Sequence, residues 1–117
     1  MGLFFSEPLL FYFTPPPPVI NAVVDNTTYS NTIYVGQSNY LEIWGTALTA
    51  WGESMSPTIT GDDSAIPLSF VWPSDTQVNV SYQVGTNAKT GLHSLWLTTE
   101  AGQSNAGTYY VYDATPV

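Results

Sequence analysis

From Val19 onward, apolar and polar residues alternate in short runs. The clearest run is 77–84. Val78, Val80, Tyr82 and Val84 share one side of it, and Gln77, Asn79, Ser81 and Gln83 the other. A period of two is that of a strand with one buried face. In 39–44, Leu41 and Ile43 alternate with Tyr40, Glu42 and Trp44. Leu95 and Leu97 flank Trp96, and Tyr109 and Val111 alternate with Tyr110 and Tyr112. Further short runs cover 19–24, 32–35, 55–60, 66–72, 92–98 and 108–112. Turn residues end them: Gly36, Gly61-Asp62-Asp63-Ser64, Pro73, Gly85-Thr86-Asn87 and Gly102. No segment sustains the 3.6-residue period of a helix. The pattern predicts seven or eight short strands over 19–113, and hence an all-β, two-sheet sandwich. Its expected core contains Leu41, Ile43, Val78, Val80, Tyr82, Leu95, Leu97 and Val111.

The first eighteen residues follow another pattern. Residues 1–14 hold Phe4, Phe5, Phe11 and Phe13, and Pro15-Pro16-Pro17-Pro18 separate them from the body. Four prolines favour an extended polyproline spacer with no backbone donors. The segment before them is shorter than the ~20 apolar residues needed to span a bilayer. It lacks a basic start, and Glu7-Pro8 cut its apolar run, so it makes a poor signal peptide. Leu9-Leu10-Phe11-Tyr12-Phe13 reads as a strand buried on both faces. We therefore expect Leu3, Phe4, Phe5, Leu9, Leu10, Phe11, Tyr12 and Phe13 to drive self-association, the segment adding as a donor strand to a sheet edge of a neighbouring copy; the alternative is that it folds back on its own domain. Head-to-tail donation does not close on itself and gives a filament. Residues 114–117 form a short C-terminal end.

Charge narrows the choice of partner. One Lys/Arg against nine Asp/Glu gives a net charge of −8. Phosphate backbones and anionic membranes require clustered cations, so neither nucleic acid nor a membrane is an expected partner. With no Cys there is no disulfide framework, thiolate nucleophile or Cys-ligated zinc, and a single His leaves little for transition-metal or Ser-His-Asp chemistry. No catalytic residue, metal or cofactor is expected. His93 reads as a core or core-edge histidine. Asp62-Asp63 with Asp25 or Asp75 supply calcium-type oxygens, but match no calcium loop, and Gly-Asp-Asp-Ser is ordinary turn chemistry. Glu42, Glu53 and Glu100 show no spacing that pairs them as a glycosidase acid and base. Asn26-Thr27-Thr28 and Asn79-Val80-Ser81 fit the glycosylation tripeptide. Trp44, Trp96, Tyr110 and Tyr112 fall on outward positions. They form a candidate aromatic contact surface, for sugar rings or another subunit.

Four segments in order resemble one family. Pro18-Val-Ile-Asn-Ala-Val23 is similar to the opening of an IPT/TIG domain. Gly36-Gln-Ser-Asn-Tyr-Leu-Glu-Ile-Trp-Gly-Thr-Ala-Leu48 resembles its second strand, Ser74-Asp-Thr-Gln-Val78 a later strand start, and 91–102 its closing hairpin. The resemblance covers 19–113, is of the bacterial surface-protein type, and implies an immunoglobulin-like sandwich. Members occur in transcription factors, receptors, starch-acting enzymes and surface proteins, so the resemblance implies a fold more than a function. The expected function is a non-catalytic structural subunit of an extracellular or cell-surface assembly, self-associating through its N-terminal segment. The alternatives are a carbohydrate-associated adhesion module of a larger secreted protein, or a virion decoration or tail protein.

Overall fold

A computed structural model describes residues 14–53 and 57–113. The strands are β1 (Val19–Asp25), β2 (Thr32–Tyr34), β3 (Ser38–Thr46), β4 (Thr58–Gly61), β5 (Leu68–Pro73), β6 (Gln77–Gln83), β7 (Gly91–Thr99), β8 (Gly102–Gln103) and β9 (Gly107–Tyr112). One sheet has the order β1-β3-β6-β5; the other is β2-β9-β7-β4, with β8 paired to β7. All pairings are antiparallel except β2 with β9. This strand order is that of an immunoglobulin-like sandwich, with β1, β3, β6 and β5 facing β4, β7 and β9.

The period-two pattern sets the register. Leu41 lies opposite Val80 and Ile43 opposite Val78, so the inward residues of β3 and β6 meet as cross-strand pairs. A slip of one residue would turn both sets to solvent. All eight expected core residues are buried, joined by Ile20, Val23, Ile33, Leu48, Ile66, Val84 and Tyr109. Ile59, Leu68 and Phe70 pack against this core half-buried, on the side where β4 and β5 meet.

Three local features depart from the sequence pattern. The 66–72 run becomes a strand only at Leu68. Ile66 instead closes a turn through its N–H to the Asp63 carbonyl (3.0 Å) and plugs the core from there. The 55–60 run yields β4 from Thr58, and it extends through Gly61, which the pattern assigns to the turn. The short β8 was not foreseen. Gly102, at φ +133°, lets the chain reverse after Thr99 and pair Thr99 with Gly102. Leu3, Phe4, Phe5, Leu9, Leu10, Phe11, Tyr12 and Phe13, and the end 114–117, lie outside the described residues.

Candidate functional site

The proline spacer enters the sandwich at a fixed point. Antiparallel pairing sets Val19 beside Thr46, at the end where the loop from 47 to 53 and the loops 74–76 and 104–106 gather. Asn105 clamps the next residue twice. Its Oδ1 accepts the Ile20 N–H (2.7 Å), and its Nδ2 donates to the Ile20 carbonyl (2.9 Å). Pro18 is buried, and Pro17 rests so near Gly102 that an added Cβ there would lie 3.4 Å from it. At Gly45 a Cβ would fall 1.9 Å from the Val19 carbonyl oxygen, so only glycine admits β1 this closely. The spacer therefore leaves from an anchored base.

The sheet edges are treated differently. Beyond β1, Ile20 is held by Asn105, and the Asp25 N–H donates to the Ser30 carbonyl (2.7 Å). Beyond β2, the Thr32 N–H donates to Ser30 Oγ (3.3 Å) and the Tyr34 N–H to Gln37 Oε1 (3.0 Å). This side has a buried anchor. Asp25 is fully buried, and its carboxylate accepts the Tyr82 hydroxyl (2.5 Å) and the Thr27 and Thr28 N–H groups (3.1 and 3.2 Å). Burial, and then the Asp25 hydrogen bond and charge, hold the Tyr82 hydroxyl far above the usual phenol range. On the opposite side, β5 has a bulge between Phe70 and Trp72 and ends in Pro73, whereas β4 is regular.

The expected aromatic surface is divided by the fold. Tyr110 and Tyr112 project from β9 and are exposed, as expected. Their neighbours are residues the sequence reading missed. Leu92 is paired with Tyr110 and exposed; Tyr34 is paired with Tyr112, with ring centroids 6.0 Å apart. The signal was available in β2, but a three-residue run cannot announce its partner. Trp96 is half-buried and paired with Thr60 of β4 rather than with β9, whose register stops at Leu95. Trp44 lies on β3, in the other sheet, and its Nε1–H donates to Glu42 (3.2 Å). The four residues thus do not make one strip.

A cleft of about 430 Å³ opens beside His93, lined by Asp62, Asp63, Ser64, Lys89, Thr90 and Leu92. His93 is buried and stacked on Tyr109, at 5.6 Å and 20°. Its Nδ1 lies 2.9 Å from Asp62 Oδ1, and its Nε2 2.6 Å from the Lys89 carbonyl. Both neighbours are acceptors, so the doubly protonated ring satisfies both. Burial pulls the imidazole pKa down, but the Lys89 carbonyl, the Asp62 hydrogen bond and charge, and the Asp63 charge outweigh it and leave it raised. The other Asp62 oxygen accepts the Ser94 N–H (2.9 Å). Asp63 accepts the Ala65 and Lys89 N–H groups, which lower its pKa. The cluster ties the loop after β4 to the loop before β7, as a core-edge histidine would.

The calcium grouping does not form. Asp75 sits at the other end of the sandwich, accepting the Thr49 and Trp51 N–H groups (3.2 and 2.9 Å), and Asp25 is enclosed by its own turn. Among the described residues no three His, Cys, Asp or Glu converge as metal ligands. Asp75 holds a turn in which Ala47, Ala50 and Trp51 all adopt positive φ. Trp51 is half-exposed there, an aromatic that strand alternation gave no means of placing. Among the described residues no helix is long and apolar enough to cross a membrane.

No family model and no curated protein matches this chain. Among solved structures it is similar to a chimeric titin Z1Z2 functionalized with a KLER exogenous peptide from decorin. The identity is 16% and the TM-score 0.38, over 85% of this chain and 89% of that one.

Proposed function

We propose that this protein is a non-catalytic structural module of an extracellular or cell-surface assembly, an IPT/TIG-type sandwich that joins copies of itself through the apolar segment before its proline spacer. The observation that carries the reading is the anchored base of that spacer. Pro18 burial and the double Asn105 clamp fix where the chain leaves the body, and four successive prolines make a stiff spacer at that point. Burial of each large apolar side chain of that segment contributes ~1.5–3 kcal/mol, enough in sum to offset the ordering of a short strand. The C-terminal strand β9 ends at the opposite end of the sandwich from Val19.

Light scattering and electron microscopy of the full chain and of a variant lacking residues 1–14 test this. The full chain should form filaments or higher oligomers, and the deletion should be a folded monomer. A deletion variant that still assembles overturns the reading. A second reading rests on the exposed Tyr110, Tyr112 and Leu92 beside Tyr34: a sugar-stacking face of an adhesion module. Titration with oligosaccharides, read by tyrosine fluorescence, separates it from the first.

A further inference from the structure

If copies join by a donated strand, that strand needs an edge with free backbone groups and an apolar floor. Three of the four outer strands are poor acceptors. The outward groups of Ile20 and Asp25 on β1 and of Thr32 and Tyr34 on β2 are met by Asn105, the Ser30 carbonyl, Ser30 Oγ and Gln37; β1 is bulged between Ile20 and Ala22, and β5 is bulged and ends in a proline that cannot donate. The fourth, β4, is different. On β7, the Leu97 N–H and carbonyl both turn toward Ser104, and the Ser94 N–H turns toward Asp62. Strand alternation then points the Trp96 and Thr98 backbone groups at Thr60 and Thr58. The N–H and carbonyl groups of Ile59 and Gly61 face outward, and among the described residues nothing pairs with them.

An apolar floor lies beside this row. Ile59 of β4 and Leu68 and Phe70 of β5 are half-buried where the two sheets approach, so the sandwich is not sealed on this side. On the outer face, half-buried Trp96 stands next to Thr60. An added strand would meet apolar surface on both faces. That requires a donor apolar at consecutive positions rather than alternate ones, and Leu9-Leu10-Phe11-Tyr12-Phe13 is the chain's longest unbroken run of large apolar side chains.

We propose that the β4 edge, with Ile59, Leu68 and Phe70 behind it, is the acceptor site for Leu9–Phe13 of a second copy of this chain; this rests on the self-association reading above. Pro17 rests against Gly102 of β8, two strand spacings or roughly 10 Å from β4, and Thr14–Pro16 in polyproline geometry cover about 9 Å. Donation to a second copy is therefore separated from docking on the same copy by the exchange and assembly measurements below. The joint is heterologous, edge to tail, and repeats without closing.

The test combines three proteins: the full chain, the variant lacking residues 1–14, and full-length Ile59→Lys, which sets a charge at the edge. Ile59→Lys should stay folded by circular dichroism and assemble about 100-fold more weakly. Mixed with the deletion variant, which keeps the edge, it should give a 1:1 complex that grows no further. Hydrogen exchange on the wild-type assembly guards against a folding failure: the Ile59 and Gly61 amides should exchange at least about ten-fold more slowly than in the deletion variant. A folded Ile59→Lys that assembles like wild type, or unchanged exchange at both amides, overturns the acceptor site while a monomeric deletion variant leaves self-association standing. A folded Ile59→Lys that forms no 1:1 complex with the deletion variant also overturns the acceptor site, and a monomeric wild type whose Ile59 and Gly61 amides are still slowed shows the tail docking on its own domain and overturns the second-copy assignment. Assembly of the deletion variant overturns the underlying reading itself.

Discussion

The two lateral sides of this sandwich are finished in opposite ways. Where β1 and β2 run, the outward groups of Ile20, Asp25, Thr32 and Tyr34 are met by Asn105, Ser30 and Gln37, and a buried Asp25–Tyr82 hydrogen bond fastens the turn beneath. Where β4 and β5 run, one edge is bulged and the other is left bare, above half-buried Ile59, Leu68 and Phe70. An uncovered edge is open to an added strand and a covered one is not, so on the proposal above the β4 edge is where a donated strand would pair. The difference teaches that two sides of one sandwich can share a fold and differ in edge chemistry.

The comparison can be broken most severely at Asp25. Asp25→Ala leaves the Tyr82 hydroxyl and two backbone donors without their acceptor in the interior, and should cost about 3 kcal/mol in urea unfolding. A loss under about 1 kcal/mol would mean that water replaces the carboxylate, and that the capped side has no rigid anchor. Next is Gly45→Ala. The added Cβ collides with the Val19 carbonyl, so β1 must move away from β3, at a cost of about 2 kcal/mol. Amide exchange should localise the damage to Val19–Val24; protection unchanged there would contradict it.

Asn105→Ala removes both bonds to Ile20 and should cost about 1.5 kcal/mol. Its more telling effect is on specificity. With the β1 edge uncapped, the two sides become more alike, and irregular aggregates should accompany ordered assembly in micrographs. Uniform filaments from this variant would show that the cap does not guide pairing.

The smallest effect is that of pH on the open side. The folded-state pKa of His93 is raised, so its stabilising contribution is complete below the unfolded value near 6.5. That contribution is lost as pH rises through the raised folded value. The groups facing the ring are Asp62, Asp63, the Lys89 carbonyl and Tyr109. The urea midpoint of the wild type should fall with pH across that window relative to His93→Gln. Because the chain has one His, its ring resonances report the titration directly. Parallel pH profiles for the two proteins would remove His93 as the latch of the loop after β4.

Much of this molecule was legible from alternation. Val78, Val80 and Tyr82 had to face inward together, because a strand's side chains repeat every two residues and only one face of β6 meets the core. Tyr110 and Tyr112 were outward for the same reason. The proline spacer and the apolar run before it were also plain, since proline's fixed φ and missing donor act locally. Partnership was not legible. Alternation says which way Trp44 and Trp96 point, but not that they belong to different sheets, because strand order is decided by closing a core and not by neighbouring residues. Nor did it show that Asn105 reaches Ile20 across 85 positions, that Asp62 grips His93 across 31, or that Asp25 waits for Tyr82 across 57. Side-chain hydrogen bonds over such separations exist only after the sheets have packed. The same holds for the bare β4 edge: Thr58–Gly61 reads as an ordinary short strand, and only the order of its neighbours makes it the uncapped one.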